Sequence, residues 1–197
     1  MVQELCSMKI NNAIRIFDII ISILFIIILL PLILIIYFLI LFIDGKPVIF
    51  LQSRVGLSGK KFNIYKFRTM KNKIYKNESD KLTKLGKILR RLSLDEIPQF
   101  INVIKKEMSI VGPRPLPETN ERKIRNELKI KRRKILPGIT GLSQINYTGK
   151  FRQIDDKVKL DIKYYENYTL HNYLKIITKT PLILIKRLLK NKSSIIK

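Results

Sequence analysis

The chain has 197 residues, with 39 Lys and Arg against 15 Asp and Glu, a formal net charge of +24. Hydrophobic residues make up 46%, which excludes a wholly disordered chain, and the length allows one domain plus an accessory segment. Cys6 is the single cysteine and His171 the single histidine, which excludes a disulfide framework and a Cys/His zinc site. A metal here would be a hard cation held by carboxylates and phosphates. His171, between Leu170 and Asn172, has no nucleophile arranged near it in sequence and reads as a surface or interface residue.

The charge is unevenly placed. Before Asp44 the ionisable residues are Glu4, Lys9, Arg15 and Asp18, which cancel, so the whole excess lies in residues 44–197. Such an excess points to an anionic partner: nucleic acid, acidic lipid or a phosphate-rich substrate. A Lys/Ile codon bias would account for part of the lysine content.

Residues 19–43 carry no charged side chain. As one helix they would extend about 37 Å, enough to cross a hydrocarbon core of about 30 Å with some tilt. The run is too long for the apolar part of a signal peptide and lacks a small-residue cleavage site, so it reads as a retained membrane anchor. Pro31 divides it into two halves of about 18 Å each. Two forms are open: a kinked spanning helix, or a helix-break-helix hairpin that enters and leaves on one face. The residues alone favour the spanning form. The positive-inside tendency keeps the basic remainder in the cytoplasm.

Asp44-Gly45-Lys46-Pro47 is a turn signal. Val48 to Val55 and Lys61 to Arg68 then flank Gly56 to Lys60, which predicts a β-hairpin with a Gly-bearing loop. Gly56 to Lys61 lacks the spacing of a phosphate-binding loop and is read as a turn. Lys66, Arg68 and Thr69 stand at the hairpin's end, placed for a phosphate or for a solvated strand edge. Lys71 to Lys81 is polar without periodicity and reads as a loop. Leu82, Leu85, Ile88, Leu89 and Leu92 recur at helical spacing among lysines and arginines. This predicts an amphipathic basic helix, suited to packing or to acidic headgroups.

Ser93 stands three residues before Glu96, the spacing of a capping box, ahead of a helix carrying Ile97, Phe100, Ile101, Val103 and Ile104. Pro98 makes the start of that helix irregular. Asp95 and Glu96 follow Arg90 and Arg91 closely; taken alone they read as acidic residues favoured at a helix N-terminus rather than as catalytic groups. Ser109 to Pro117 is expected to be irregular. There Pro113, Pro115 and Pro117 fix φ and remove donors, so Arg114 is presented in a defined direction. Glu118 to Lys134 reads as a charged helix, its end either solvated or contacting phosphate.

Pro137 to Gly141 has a turn pattern, with Gly138 and Gly141 where positive φ is expected. Gln144, Asn146 and Tyr147 follow on an extended piece. A helix over 153–166 brings Asp161 near Tyr164 and Tyr165. Leu174 to Leu189, interrupted at Pro181, is too broken by Lys to span and suits the membrane interface. The fold class is mixed α/β and mainly helical: a proline-broken membrane helix, a small β-hairpin and amphipathic interfacial helices.

In this order the motifs resemble the small monotopic phosphoglycosyl transferases, the bacterial sugar transferase family that starts glycan assembly on polyprenol phosphate. The carriers are Arg15-Ile16-Phe17-Asp18, Ile64 to Met70, Leu94-Asp95-Glu96, Asn102-Val103, Met108 to Pro115, Pro137 to Gly141 and Leu160-Asp161. Each is weak alone; in this order behind an N-terminal anchor they are highly specific. The resemblance implies transfer of a sugar 1-phosphate from a UDP-sugar to undecaprenyl phosphate, release of UMP and a requirement for Mg²⁺. It implies that Asp95 attacks the β-phosphorus and forms a covalent phosphosugar intermediate. A carboxylate near a helix N-terminus with Arg90 close by is kept ionised, as a nucleophile must be.

The resemblance further implies that Arg90 and Arg114 contact phosphate or nucleotide with Lys66 in support. Arg68, Gln144 and Tyr147 are the remaining candidate substrate contacts. Glu96 and Asp161 match the family's other functional acids, and Asp95 and Asp161 are the candidate Mg²⁺ ligands. Asp95 and Glu96 are not expected to chelate as a pair, because neighbouring helical residues project about 100° apart.

The resemblance also reverses the topology. It implies a re-entrant anchor over 1–44, broken near Pro31, a catalytic region over 45–190 resting on inner-membrane phospholipids at the cytoplasmic face, and a basic tail over 191–197. The chain departs from the family pattern at Leu30, where Ser is usual, and at Leu136 and Leu142, where Arg and Trp are common. Nucleic acid is not an implied partner. The rival is a non-catalytic, membrane-tethered basic protein that binds acidic lipid or nucleic acid. It accounts for the charge and the anchor, but not for carboxylates beside arginines or a proline-fixed Arg114.

Overall fold

The computed structural model describes residues 2–71, 81–146 and 154–193. Tyr147, most of the expected 71–81 loop and residues 194–197 of the expected tail lie outside them. The chain opens with helix α1, Val2–Leu39, which passes into one π-helical turn over Ile40–Asp44. Pro31 lies inside α1, with helix on both sides, so the expected break does not show as an interruption there. Asn12–Asp44 is long and apolar enough to cross a membrane, and only 11% of its most apolar window is buried. That exposure separates it from the core helix of a soluble protein.

Residues toward both ends of the Asn12–Asp44 stretch nevertheless pack on the same body. Ile14 joins a core with Ile64, Val103, Met108, Tyr173 and Ile176. Ile36 and Ile40 join a second cluster with Val48, Phe67, Leu89 and Ile97. Between them Phe25 stacks on Phe100 with ring centroids 5.1 Å apart.

The strongest tie is polar. Asp18, 1% exposed, accepts hydrogen bonds from Ser109 Oγ (2.7 Å), the Ile110 N–H (3.0 Å) and Tyr173 Oη (2.6 Å). Arg15 stands 3.8 Å from the same carboxylate and donates to the carbonyls of Met108 and Val103. A buried carboxylate is tolerated only when its lone pairs are filled this way. Counted by charge alone, Asp18 had only cancelled a lysine.

The hairpin forms as expected: β1 (Ile49–Val55) pairs antiparallel with β2 (Lys61–Phe67), in register from Ile49 opposite Phe67 to Val55 opposite Lys61. A lone hairpin is marginal in water. Asn102, fully buried on α3 (Gln99–Ile104), pins this one: its Oδ1 accepts the Tyr65 N–H (3.0 Å) and its Nδ2 donates to Asn63 O (2.8 Å) and Glu107 Oε2 (2.7 Å).

Helix α2, Lys84–Leu92, is the expected amphipathic helix. It starts at Thr83, whose Oγ1 accepts from the Gly86 N–H (2.8 Å). Gly86 lies so close to β2's exit that a Cβ there would stand 2.2 Å from Thr69 O.

Four expectations change. Ser109–Val111 is not irregular but strand β3, paired in parallel with β4 (Gly138–Thr140). Gly138 and Gly141 are not needed for positive φ. A Cβ would lie 2.0 Å from Gly112 N at the first and 2.1 Å from Gly112 O at the second, so the requirement is close backbone approach. The segment from Glu118 is two short helices, α4 (Glu118–Glu121) and α5 (Asn126–Arg132). One continuous helix would hold Glu121 and Arg132 about 16 Å apart along its axis; the break lets Arg132 Nη1 donate to Glu121 Oε2 at 3.2 Å. Gln144 sits on a helical turn, α6 (Leu142–Ile145), instead of an extended piece. Helices α7 (Ile154–Glu166) and α8 (Leu170–Ser193) complete the described chain, α8 continuing through Pro181, and His171 is exposed as expected.

Asp18→Ala strands a hydroxyl, a phenol and a backbone N–H at the α1 junction. We expect it to lower the free energy of unfolding by about 3–5 kcal/mol in chemical denaturation of the detergent-held protein, and Asp18→Asn to lose clearly less. Equal losses would show that the carboxylate's hydrogen bonds are not what holds α1.

Candidate active site

Helix α2 ends at Ser93, which adopts a left-handed conformation (φ 57°, ψ 21°), and one 3₁₀ turn over Leu94–Glu96 follows. The expected capping box does not form: Ser93 caps nothing with its side chain, and Glu96 turns away to other partners. Asp95 therefore lies on a tight turn ahead of α3, not in the first turn of that helix.

Glu96 is the organiser of this turn. Its Oε1 accepts from Lys66 Nζ at 2.7 Å, reaching over from β2, and from Arg114 Nη2 at 2.7 Å, reaching from the proline-fixed loop after β3. Burial pushes the Glu96 carboxyl up, but Arg114 and Lys66 outweigh it and hold it at about 2. Asp95, 7% exposed, behaves oppositely. Burial raises its pKa above the ordinary carboxylate value, with Glu96 adding to the rise and Lys66 and Arg90 opposing it. The expectation that a helix N-terminus governs Asp95 is thus corrected: desolvation dominates. Among the described residues Asp95 makes no ion pair, whereas Glu96 makes two.

Both carboxylates line a cleft of about 950 Å³ that also takes in Lys66, Arg90, Arg114 and Gln144. Arg90 is steadied through Nε on Thr69 Oγ1 (2.9 Å), and Gln144 Nε2 donates to Ile139 O (3.0 Å). Pro113 is fully buried and Pro115 lines the cleft, so the two prolines flank Arg114 as the sequence suggests. Arg68 also borders the cleft, but its guanidinium donates to the carbonyls of Asp44, Gly45 (2.6 Å) and Lys46 (2.9 Å). It fastens the end of α1 to the hairpin.

Asp161 lines the same cleft, 4% exposed, with Arg132 Nε 3.6 Å away, and its Oδ1 is buried without a hydrogen-bond partner. Burial pushes its carboxyl up to about 6, against the pull of Arg132. Arg132, read from sequence as part of a basic run either solvated or contacting phosphate, is instead 4% exposed; it binds Glu121 and Asp161 and donates to the main-chain oxygen of Arg114.

The sequence reading also missed Arg54. Alternation along β1 puts Phe50, Gln52 and Arg54 on one face, and the register sets Lys66 opposite Phe50 on that face. All four line the cleft. Stepping by two along the strand was the signal available.

Lys66, Arg90, Arg114 and Arg54 surround Asp95 and Glu96, so two positive charges are left over. Such a site suits a dianion such as a diphosphate, delivered to a buried carboxylate. No group of three or more His, Cys, Asp or Glu side chains is placed to hold a metal among the described residues. A divalent cation sharing one carboxylate with phosphate oxygens fits better, and Asp95 is the carboxylate whose charge is not already paired.

The chain is 39% identical over 155 residues to the galactosyl transferase CpsE of Streptococcus agalactiae serotype III, covering 70% of this chain and 34% of that protein. It is 42% identical over 142 residues to EpsL of Bacillus subtilis, described as an uncharacterized sugar transferase, covering 69% of each. It is 35% identical over 173 residues to the UDP-glucose:undecaprenyl-phosphate glucose-1-phosphate transferase of Escherichia coli K12, covering 81% of this chain and 37% of that protein. The chain thus spans 34% to 37% of the length of two of these relatives and 69% of the third. The family model for bacterial sugar transferases matches residues 10–187, taking in α1, the hairpin, the Asp95–Glu96 turn and α7 together, and on that match the chain belongs to the bacterial sugar transferase family.

Proposed function

We propose that this protein transfers a sugar 1-phosphate from a UDP-sugar to undecaprenyl phosphate and releases UMP, a first membrane step in bacterial surface glycan or glycoconjugate assembly. The observation that carries the reading is Asp95: a desolvated carboxylate with no ion pair among the described residues, in a cleft where cations outnumber carboxylates, beside a long apolar helix. The printed names of relatives support the reaction type, since they include UDP-glucose:undecaprenyl-phosphate glucose-1-phosphate transferases and an undecaprenyl-phosphate galactose phosphotransferase. Their sugars differ, so the reaction class carries over and the sugar does not.

In this reading an Asp95 oxygen attacks the β-phosphorus of the bound UDP-sugar. The bond from that phosphorus to the bridging oxygen breaks, and the electron pair leaves with UMP. A carboxyl–phosphate anhydride carrying the sugar remains on Asp95. An oxygen of the polyprenol phosphate then attacks the same phosphorus, which forms the lipid diphosphate sugar and restores the carboxylate. Neither departing oxygen needs a proton. Burial raises the basicity of Asp95 and hence its strength as a nucleophile. Lys66 and Arg114, set in place by Glu96, and Arg90 beside Asp95 offset the repulsion between a carboxylate and a diphosphate. A Mg²⁺ ion shared by Asp95 and the phosphates would add to that offset; Glu96 and Asp161, each already paired, suit it less.

Residues 1–44 serve as the anchor in this reading and 45–190 as the catalytic region, held on inner-membrane phospholipids at the cytoplasmic face. Support for a re-entrant anchor is that Asp18 and Ile40, toward the two ends of the apolar run, touch the same body that carries the charged cleft. Spanning would move one end across about 30 Å of hydrocarbon and break one of these contacts, or draw the cleft into lipid. Exposed Phe50, Ile88 and Leu92 are available to the interface.

Purified protein given Mg²⁺, undecaprenyl phosphate and a panel of UDP-sugars should release UMP with at least one of them. Asp95→Asn should cut that rate by at least about a thousandfold; undiminished release would remove Asp95 from the chemistry. For topology, Gln3→Cys and Lys60→Cys in a Cys6→Ser background should both be shielded from an impermeant thiol reagent in intact cells. Labelling at residue 3 alone would establish a spanning helix.

A further inference from the structure

The cations of the cleft differ in what already holds them. Lys66 and Arg114 share Glu96, Arg68 is bound to the carbonyls of residues 44–46, and Arg132 is bound to Glu121 and Asp161. Arg54 is different. Its Nη2 donates to Gln52 Oε1 at 2.5 Å, its Nε is buried with no hydrogen-bond partner, and it makes no ion pair among the described residues. Burial, and then the neighbouring Arg114 guanidinium, lower its pKa, while Glu96 pulls it back. Two guanidinium groups thus stand near one carboxylate that is already doubly bound. A half-buried cation in that state gains from an incoming anion.

The position along the cleft says which anion. The β1–β2 register sets Lys66 opposite Phe50, about 13 Å along β1 from Arg54, and Arg90, held on Thr69, stands past that same end of the hairpin. Val55 bridges Leu116, which brings Arg54 beside the Arg114 loop. Asp95, on which Lys66 and Arg90 act, thus lies toward one end of the cleft and Arg54 toward the other, on the Arg114 side of Glu96. The phosphorus under attack must stand about 3–3.5 Å from the attacking oxygen, and its partner phosphate is one bridging oxygen further along. Resting on the transfer reaction proposed above, we infer that Arg54, aimed by Gln52, binds the phosphate that departs with the nucleotide and not the phosphate that is transferred. As the bridge breaks, that departing phosphate gains one negative charge, which a guanidinium already in place stabilises without reorganisation.

This assignment separates the two half-reactions. Formation of the phosphosugar–enzyme takes place with the departing phosphate present; its discharge to the lipid takes place after UMP has gone. In full-length protein in nanodiscs, Arg54→Ala should slow the burst of UMP released without acceptor by about a hundredfold. It should also weaken UMP binding in calorimetry by at least about tenfold, and leave unchanged the rate at which added undecaprenyl phosphate discharges the preformed intermediate. Arg54→Lys should recover part of the burst rate. Arg54→Gln, closer in shape but uncharged, should be as slow as Arg54→Ala; a Gln variant with the wild-type burst would trace the Ala loss to impaired packing and overturn the inference. Equal slowing of both half-reactions, or of neither, would overturn the inference while wild-type UMP release kept the parent reading intact. A wild-type protein that releases no UMP would overturn both.

Discussion

Glu96 Oε1 receives Lys66 from the hairpin and Arg114 from the proline-fixed loop, each at 2.7 Å, and three separate pieces of chain meet on that one atom. The consequences run in two directions. Structurally, loss of Glu96 would leave two cations facing each other, with Lys66 in a poorly solvated place, which is among the costlier defects a fold can carry. Chemically, the double pairing holds Glu96 ionised at about 2, so its negative charge is always present beside Asp95. That charge and burial together raise the proton affinity of Asp95. Two adjacent carboxylates thereby differ: Glu96 is taken up by two cations, and Asp95, with no ion pair among the described residues, is the one the proposed reaction uses.

A second buried carboxylate fixes the anchor. Asp18 joins α1 to Ser109, Ile110 and Tyr173, and the Tyr173 contact spans 155 residues of sequence. Arg68 does the same at the other end of the anchor through the carbonyls of residues 44–46. The cleft is therefore set at one height relative to the apolar helix. The proposed reaction, which passes a sugar phosphate from a soluble nucleotide sugar to a lipid phosphate, would need this, because its reacting carboxylate must sit where both substrates reach.

What could be read in the sequence was local. Alternation around a glycine-bearing turn marked the hairpin, helical spacing marked α2, and the prolines flanking Arg114 marked it as a directed side chain. Asp95 and Glu96 stood out because arginines precede them. The features that escaped are set by distant contacts. The capping box at Ser93 failed because Lys66 and Arg114 compete for the Glu96 carboxylate and the backbone turns left-handed to deliver it. The segment from Glu118 broke in two because Arg132 had to return to Glu121. Gly138 and Gly141 answer to the close approach of Gly112, not to their own φ. Asp18 looked like one charge in a cancelling set, and Arg54 like one basic residue among 39.

The central claim is a covalent bond between Asp95 and the transferred phosphate, and peptide mass reads it most directly. The protein would be held with a UDP-sugar that supports UMP release, without undecaprenyl phosphate, then digested and weighed. The account predicts that the peptide containing Asp95 gains one sugar 1-phosphate less water and loses it when the lipid acceptor is added. An unchanged peptide, with UMP appearing only once the acceptor is present, would contradict it and point to direct transfer between the two substrates.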